Sequence, residues 1–178
     1  MNSQKFSAYA KSFRIIQGFI CAIPLLWKES AFLFPPLGTG TGIDVFLAMA
    51  LSGLAAILPW KLSLRKRKTR TLLMCSFFLL VCFVSGYFLL SQRYVVSVPL
   101  PDGGELSVSV GSVRTPFAIQ NFPGKTDAEM LMARGPYETE VQKLWTEDSI
   151  DWVRLRLFLS YLCALMLLNF VVGLIAKE

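Results

Sequence analysis

Residues 71–91 read TLLMCSFFLLVCFVSGYFLLS, and this run decides the fold class. It contains no Asp, Glu, Lys or Arg. As a helix rising about 1.5 Å per residue it reaches roughly the 30 Å of a bilayer's hydrocarbon core. Phe and Leu dominate it, so much of its surface is expected to face lipid. Ser85-Gly86 is where a close helix contact is expected.

Immediately before it stands KLSLRKRKTR, residues 61–70, with six basic side chains and no acid. After it, residues 92–151 carry five basic and nine acidic side chains, a local net charge of −4. The whole chain of 178 residues has net charge +6, only 17% charged residues and mean hydropathy +0.52. A soluble domain usually carries about 25% charged residues. In a soluble protein a basic balance would point to nucleic acid. Beside apolar runs it sets topology, because basic loops stay cytoplasmic. No direct nucleic-acid contact is expected.

Three further apolar spans and one helix-breaking apolar stretch flank this pair. Residues 9–27 are expected to form an uncleaved first span, entered through Lys11 and Arg14, bent near Pro24 and ending at an interfacial Trp27. Residues 31–42, AFLFPPLGTGTG, break any helix through Pro35-Pro36 and their glycines. They are expected at the membrane surface. Residues 43–60 form the second span. There Ala48, Ser52 and Ala56 recur at i, i+4 and i+8, a spacing that lets helix backbones approach closely. The face serves either an oligomer or packing within the chain. Residues 157–176 form the fourth span. It contains Asn169, whose amide calls for an interhelical hydrogen bond that locks packing.

The expected fold is therefore membrane all-α: a four-transmembrane-helix bundle with a small α+β extramembrane domain between helices 3 and 4. Its parts are residues 1–91, three spans; 92–150, the domain; and 151–178, the last span and C-terminus. Counting basic residues places both termini inside and residues 92–150 outside. Arg154 and Arg156 sit on the outer flank against that count. They are expected to snorkel to headgroups or to pair with acids such as Asp148 and Asp151.

Within residues 92–150, YVVSVP and ELSVSV alternate about Asp102-Gly103-Gly104, a hairpin pattern. A third extended piece is expected through Val113–Ile119. Thr126 or Asp127 caps a helix ending near Arg134-Gly135. Pro136 is expected to open another helix over 136–147 that runs on into the fourth span. Leu131, Met132, Leu144 and Trp145 need cover in so short a domain. A neighbouring copy or the membrane surface is the expected cover, which argues for a homo-oligomer.

Catalytic constellations are missing. With no histidine there is no Ser/His/Asp set, and no phosphate loop or metal-ligand spacing occurs. No cofactor is expected and the chain is read as non-enzymatic. Cys21, Cys75, Cys82 and Cys163 all lie in apolar runs, where cysteine packs as a small hydrophobe. The acids at 138, 140, 147, 148 and 151 read as solvation of a helix. Lys61, Arg65, Lys66, Arg67, Lys68 and Arg70 read as a topology determinant touching anionic lipid, or as a docking loop for an acidic cytoplasmic partner.

The break PPLGTGTG before a small-residue helix, the run RKRKTR and one soluble insert before the last span together resemble the KwaA family. These are the membrane subunits of the bacterial Kiwa anti-phage defence system. The resemblance covers nearly the whole chain. It implies a homo-oligomer, a tetramer, in the inner membrane, with residues 92–150 periplasmic. It further implies sensing of envelope events during infection and a cytoplasmic DNA-binding partner, KwaB. It brings no catalytic residues. Two other readings stay open: a pore-forming or membrane-disrupting effector gated by a bound signal, and a scaffold subunit of an envelope complex.

Overall fold

A computed structural model describes residues 66–99 and 104–177, with 51, 54, 55, 58 and 59 besides. The first expected span, the break at 31–42, Asp102-Gly103 and Ala48, Ser52 and Ala56 lie outside the described residues. What is described is mostly helical, with one small sheet. It divides into two compact units, one holding 66–85 and 160–177, the other 86–99 and 104–159.

The charge-free run lies inside one helix, α1, Lys66–Tyr94. It starts earlier than expected, so Lys66, Arg67, Lys68 and Arg70 belong to its first turns and not to a loop. Its polarity is inverted relative to a water-soluble core helix. Thr69, Ser76, Tyr87 and Ser91 are buried. Met74, Phe77, Phe78, Leu79, Val81 and Leu89 are exposed, Phe78 to 68%. Only 11% of its most apolar window is buried. Such a contiguous apolar surface is unfavourable in water, which monomeric soluble proteins avoid. No close contact marks Gly86: a Cβ there meets nothing within 4 Å among the described residues.

The α+β unit has ordinary polarity. Strand β1, Val95–Pro99, pairs antiparallel with β2, Glu105–Ser109, in the register Val96↔Val108 and Val98↔Leu106. Period two turns Val98 and Val108 inward, both buried. The Val110 amide donates to the Tyr94 carbonyl at 2.8 Å, which closes the hairpin base onto the end of α1.

Helix α2, Pro116–Asn121, replaces the expected third extended piece. Thr115 caps it by accepting from the Ala118 amide, and Pro116 supplies a helical φ where no donor is needed. Only Arg114 keeps sheet-like pairing, with Trp145. Helix α3, Asp127–Arg134, carries a capping box in which Thr126 and Glu129 each satisfy the other's amide. It ends at Gly135, whose φ of +95° suits glycine alone.

Helix α4, Glu138–Leu144, begins two residues after Pro136 and stops at an extended Trp145. It does not run on into the last helix. A separate helix α5, Glu147–Lys177, follows Thr146. The break is stitched by Thr115 N–H to Leu144 O at 3.0 Å and Thr146 N–H to Val113 O at 3.1 Å. Glu147 and Asp148 in the first turn suit the helix dipole.

The core joins Val98, Val108, Val110, Ala118, Met130, Leu131, Val141, Leu144, Trp145 and Ile150. Leu131, Leu144 and Trp145 are thus covered by their own unit, which removes the packing argument for a neighbouring copy; only Met132 stays exposed, at 57%. The hairpin packs on α3, and α4 packs on both α2 and α3. Gly111 lets this core close, since a Cβ there would stand 2.8 Å from Trp145 Cβ and collide with Ser149 Oγ.

Helix α5 is the second element long and apolar enough to cross a membrane. Asn169 is buried within it, and its Nδ2 donates to the Leu165 carbonyl of the same helix at 3.1 Å.

Candidate coupling site at Arg154

Helix α5 enters the α+β unit on one stripe. Ile150, Val153 and Leu157 are buried at i, i+3 and i+7. Arg154 falls at i+4 on the same side. A charge on a buried stripe needs partners, and Arg154 has two. Its guanidinium forms a fork with Glu138 of α4, Nη1 to Oε1 at 2.8 Å and Nη2 to Oε2 at 3.0 Å. Its Nε donates to Ser109 Oγ of β2 at 3.0 Å. One side chain of the long helix therefore ties a strand and a second helix.

The arrangement fits guanidinium chemistry. Five donors in one plane allow a bidentate carboxylate pair and a third bond from Nε. Side-chain exposure is 17% at Arg154 and 34% at Glu138, so solvent screens the pair only in part. Fully exposed pairs contribute about 0–1 kcal/mol and charge-assisted bonds about 1.5–3. A net contribution of about 1–2 kcal/mol follows for this intermediate case.

The remaining charges form smaller, more exposed ties. Arg114 bonds Asp127 at 2.6 Å, which fixes the segment before α2 to the start of α3. Lys143 Nζ donates to Glu140 Oε1 at 2.6 Å, and that bond, with the Lys143 and Arg134 charges, holds the Glu140 carboxyl below the usual range. Arg134 approaches Glu140 at 3.8 Å while lying over the Phe117 ring. Hydrogen bonds from the Thr126 amide and then its hydroxyl lower the Glu129 carboxyl in the same way.

Of the residues singled out by sequence, Lys66, Arg67, Lys68, Arg70 and Asn169 lie among the described residues. Lys61 and Arg65 lie outside the described residues. Lys68 and Arg70 are exposed beside the buried Thr69. Asn169 lies far along α5. Arg154 pairs with Glu138 and not with Asp148 or Asp151, and Arg156 lies over the Trp152 ring. The acids read as a solvated cluster are in part ion-paired. Among the described residues no group of three or more His, Cys, Asp or Glu side chains could hold a metal. Cys75, Cys82 and Cys163 are free thiols.

Sequence reasoning overlooked Ser109 and the Arg154–Glu138 fork. The available signal was Arg154 as the one charge on the 150, 153, 157 stripe. Ser109 carried no signal, because alternation with Val108 marks it as outward. No family model, curated protein or solved structure matches the chain.

Proposed function

We propose that this chain is a non-enzymatic, multi-pass membrane protein of the bacterial inner membrane, a sensor and anchor subunit. In this reading a bundle of four spans carries the α+β unit on the periplasmic side. The observation that carries the reading is the pair of opposite polarities: apolar side chains exposed along α1 and apolar side chains buried in the α+β unit. Lipid favours the first arrangement and water the second.

Sensing follows from continuity. Helix α5 is one uninterrupted element from its first turns in the α+β unit to Lys177. Arg154 fixes those turns to β2 and α4. A ligand that binds two arrangements of this unit unequally would shift the helix, since only differential binding moves an equilibrium. The basic run supports an inner docking role. Lys66, Arg67, Lys68 and Arg70 stand at the start of α1 with no acid in its first turn. Cations there oppose the helix dipole, so helix stability does not account for them. Anionic headgroups and an acidic partner do.

The resemblance to the KwaA family gives this reading its context: an anti-phage defence complex, a homotetramer, and a cytoplasmic DNA-binding partner of the KwaB kind. Cells co-expressing the chain with such a partner and challenged with phage provide the test. Arg154→Gln should abolish protection at unchanged membrane level and partner capture. Replacing Arg65, Lys66, Arg67, Lys68 and Arg70 with Gln should release the partner or else scramble the orientation, and unchanged capture with the orientation intact would refute the docking role. Full protection by both variants would overturn the sensor reading.

A further inference from the structure

Between residues 93 and 156 lie five arginines, Arg93, Arg114, Arg134, Arg154 and Arg156. Three of them meet carboxylates: Arg114 meets Asp127, Arg134 meets Glu140 and Arg154 meets Glu138. The other two have no carboxylate partner among the described residues. Each instead covers a neighbouring ring, Arg93 over Tyr94 at 5.5 Å and Arg156 over Trp152 at 4.9 Å.

Their positions in the chain share one property. Arg93 is the first charged residue after the charge-free stretch 71–92 of α1, and Arg156 is the last before the charge-free stretch 157–176 of α5. As helix these stretches rise roughly 33 and 30 Å, each matching the hydrocarbon thickness of a bilayer. So both apolar stretches end, on the side of the α+β unit, in an arginine lying on an aromatic ring. On α5 the exposed face at this level holds Trp152, Leu155 and Leu159, exposed to 52%, 44% and 47%. That face grades from indole to aliphatic along the helix, as the interface grades from headgroup to acyl chain.

A guanidinium within cation–π distance of a ring, with no carboxylate or hydrogen-bond acceptor among the described residues, keeps N–H donors for a further acceptor. Such donors match a phosphate with two parallel hydrogen bonds. We propose that Arg93–Tyr94 and Arg156–Trp152 are two phospholipid headgroup sites, each binding a lipid phosphate and together setting the depth of the α+β unit on the bilayer surface. Arg154, two residues from Arg156, belongs to the opposite class: three of its five donors are taken by Glu138 and Ser109. The inference rests on the membrane-crossing reading of α1 and α5.

The test uses the full chain in nanodiscs of phosphatidylcholine and phosphatidylglycerol. Emission of the wild type minus that of Trp152→Phe isolates Trp152. A nitroxide placed through Phe78→Cys, with the native cysteines replaced, reports the middle of α1 separately. The Trp152 signal should be quenched roughly two-fold more by a headgroup nitroxide lipid than by a mid-chain one. Native mass spectrometry should show that Arg93→Gln with Arg156→Gln loses roughly half the retained phosphatidylglycerol, whereas Arg154→Gln keeps it. Trp152 quenched by aqueous iodide and indifferent to both lipids, with the residue-78 label shielded from water, overturns the headgroup sites and leaves the membrane reading standing. A residue-78 label fully accessible to an aqueous relaxant overturns both.

Discussion

Helix α1 and the α+β unit are built from similar apolar side chains placed on opposite sides. In the α+β unit Trp145, Leu144 and Met130 are sealed inside, and Gln142 and Lys143 face out. On α1 Ser76 and Thr69 are inside and Phe77 and Phe78 face out. In water, the transfer free energy that buries Trp145 would favour burying Phe78 as well. The difference teaches that composition alone does not locate a core; the solvent decides which face an apolar residue takes.

Truncation should separate the two regions most widely. Trp145→Ala empties the centre of the α+β core and is expected to cost about 3–5 kcal/mol. Amide hydrogen exchange across residues 94–159 of the reconstituted chain reads that loss. Phe78→Ala should leave the same amides unchanged, because the Phe78 side chain is 68% exposed. Comparable losses from both variants would erase the distinction.

A charge at an exposed position sharpens it from the other side. Phe78→Asp places a carboxylate near the middle of a helix long and apolar enough to cross a membrane, where insertion would cost about 2.5–3.5 kcal/mol more. Gln142→Asp, also at an exposed position but in the α+β unit, should stay within about 0.5 kcal/mol. A reporter-fusion insertion assay measures the first and hydrogen exchange the second.

The tie between α5 and the α+β unit comes next in size. Arg154→Gln should cost about 1–2 kcal/mol, much of it from leaving the half-buried Glu138 without its fork. A double-mutant cycle with Glu138→Gln should return a coupling of about 0.5–1.5 kcal/mol. Zero coupling would make Arg154 a passive surface charge.

Smallest is the capping box. Thr126→Ala should cost about 1 kcal/mol. Glu129 and Glu140 both have carboxyls held below the ordinary value of 4.5. A carboxyl lowered in the folded state stabilises above its unfolded value, and that stabilisation is lost as pH falls through the folded one. The α+β unit should therefore weaken below about pH 4.5, and Thr126→Ala should blunt the part due to Glu129. Melting curves between about pH 7 and 3 follow both effects.

Much of this was legible because the signals are local. The charge-free run 71–91 marked α1, valine alternation marked the hairpin, and Thr126 or Asp127 as a cap marked α3. What escaped depends on residues distant in sequence. Val113–Ile119 looked extended, but Thr115 and Pro116 start a helix there once Thr115 also bonds Lys143 O. The expected run-on at 136–147 failed because Trp145 turns into the core and pairs with the Arg114 segment. Leu131, Leu144 and Trp145 looked too exposed to stand alone because the packing of α3 on the hairpin and of α4 on α2 and α3 leaves no trace in local pattern. Arg154 was seen, but its partner lies sixteen residues away, across the break at 145.

The measurement that bears most directly on the account compares two single cysteines in a background lacking Cys21, Cys75, Cys82 and Cys163. One is introduced by Ser112→Cys, at an exposed position of the α+β unit, and the other by Phe78→Cys, at the exposed face of α1. Intact cells are treated with a membrane-impermeant maleimide, then lysed without detergent and treated again. The account predicts that the Ser112→Cys variant reacts in intact cells and that the Phe78→Cys variant reacts in neither step. Labelling of the Phe78→Cys variant as fast as the Ser112→Cys variant would put α1 in water and contradict it.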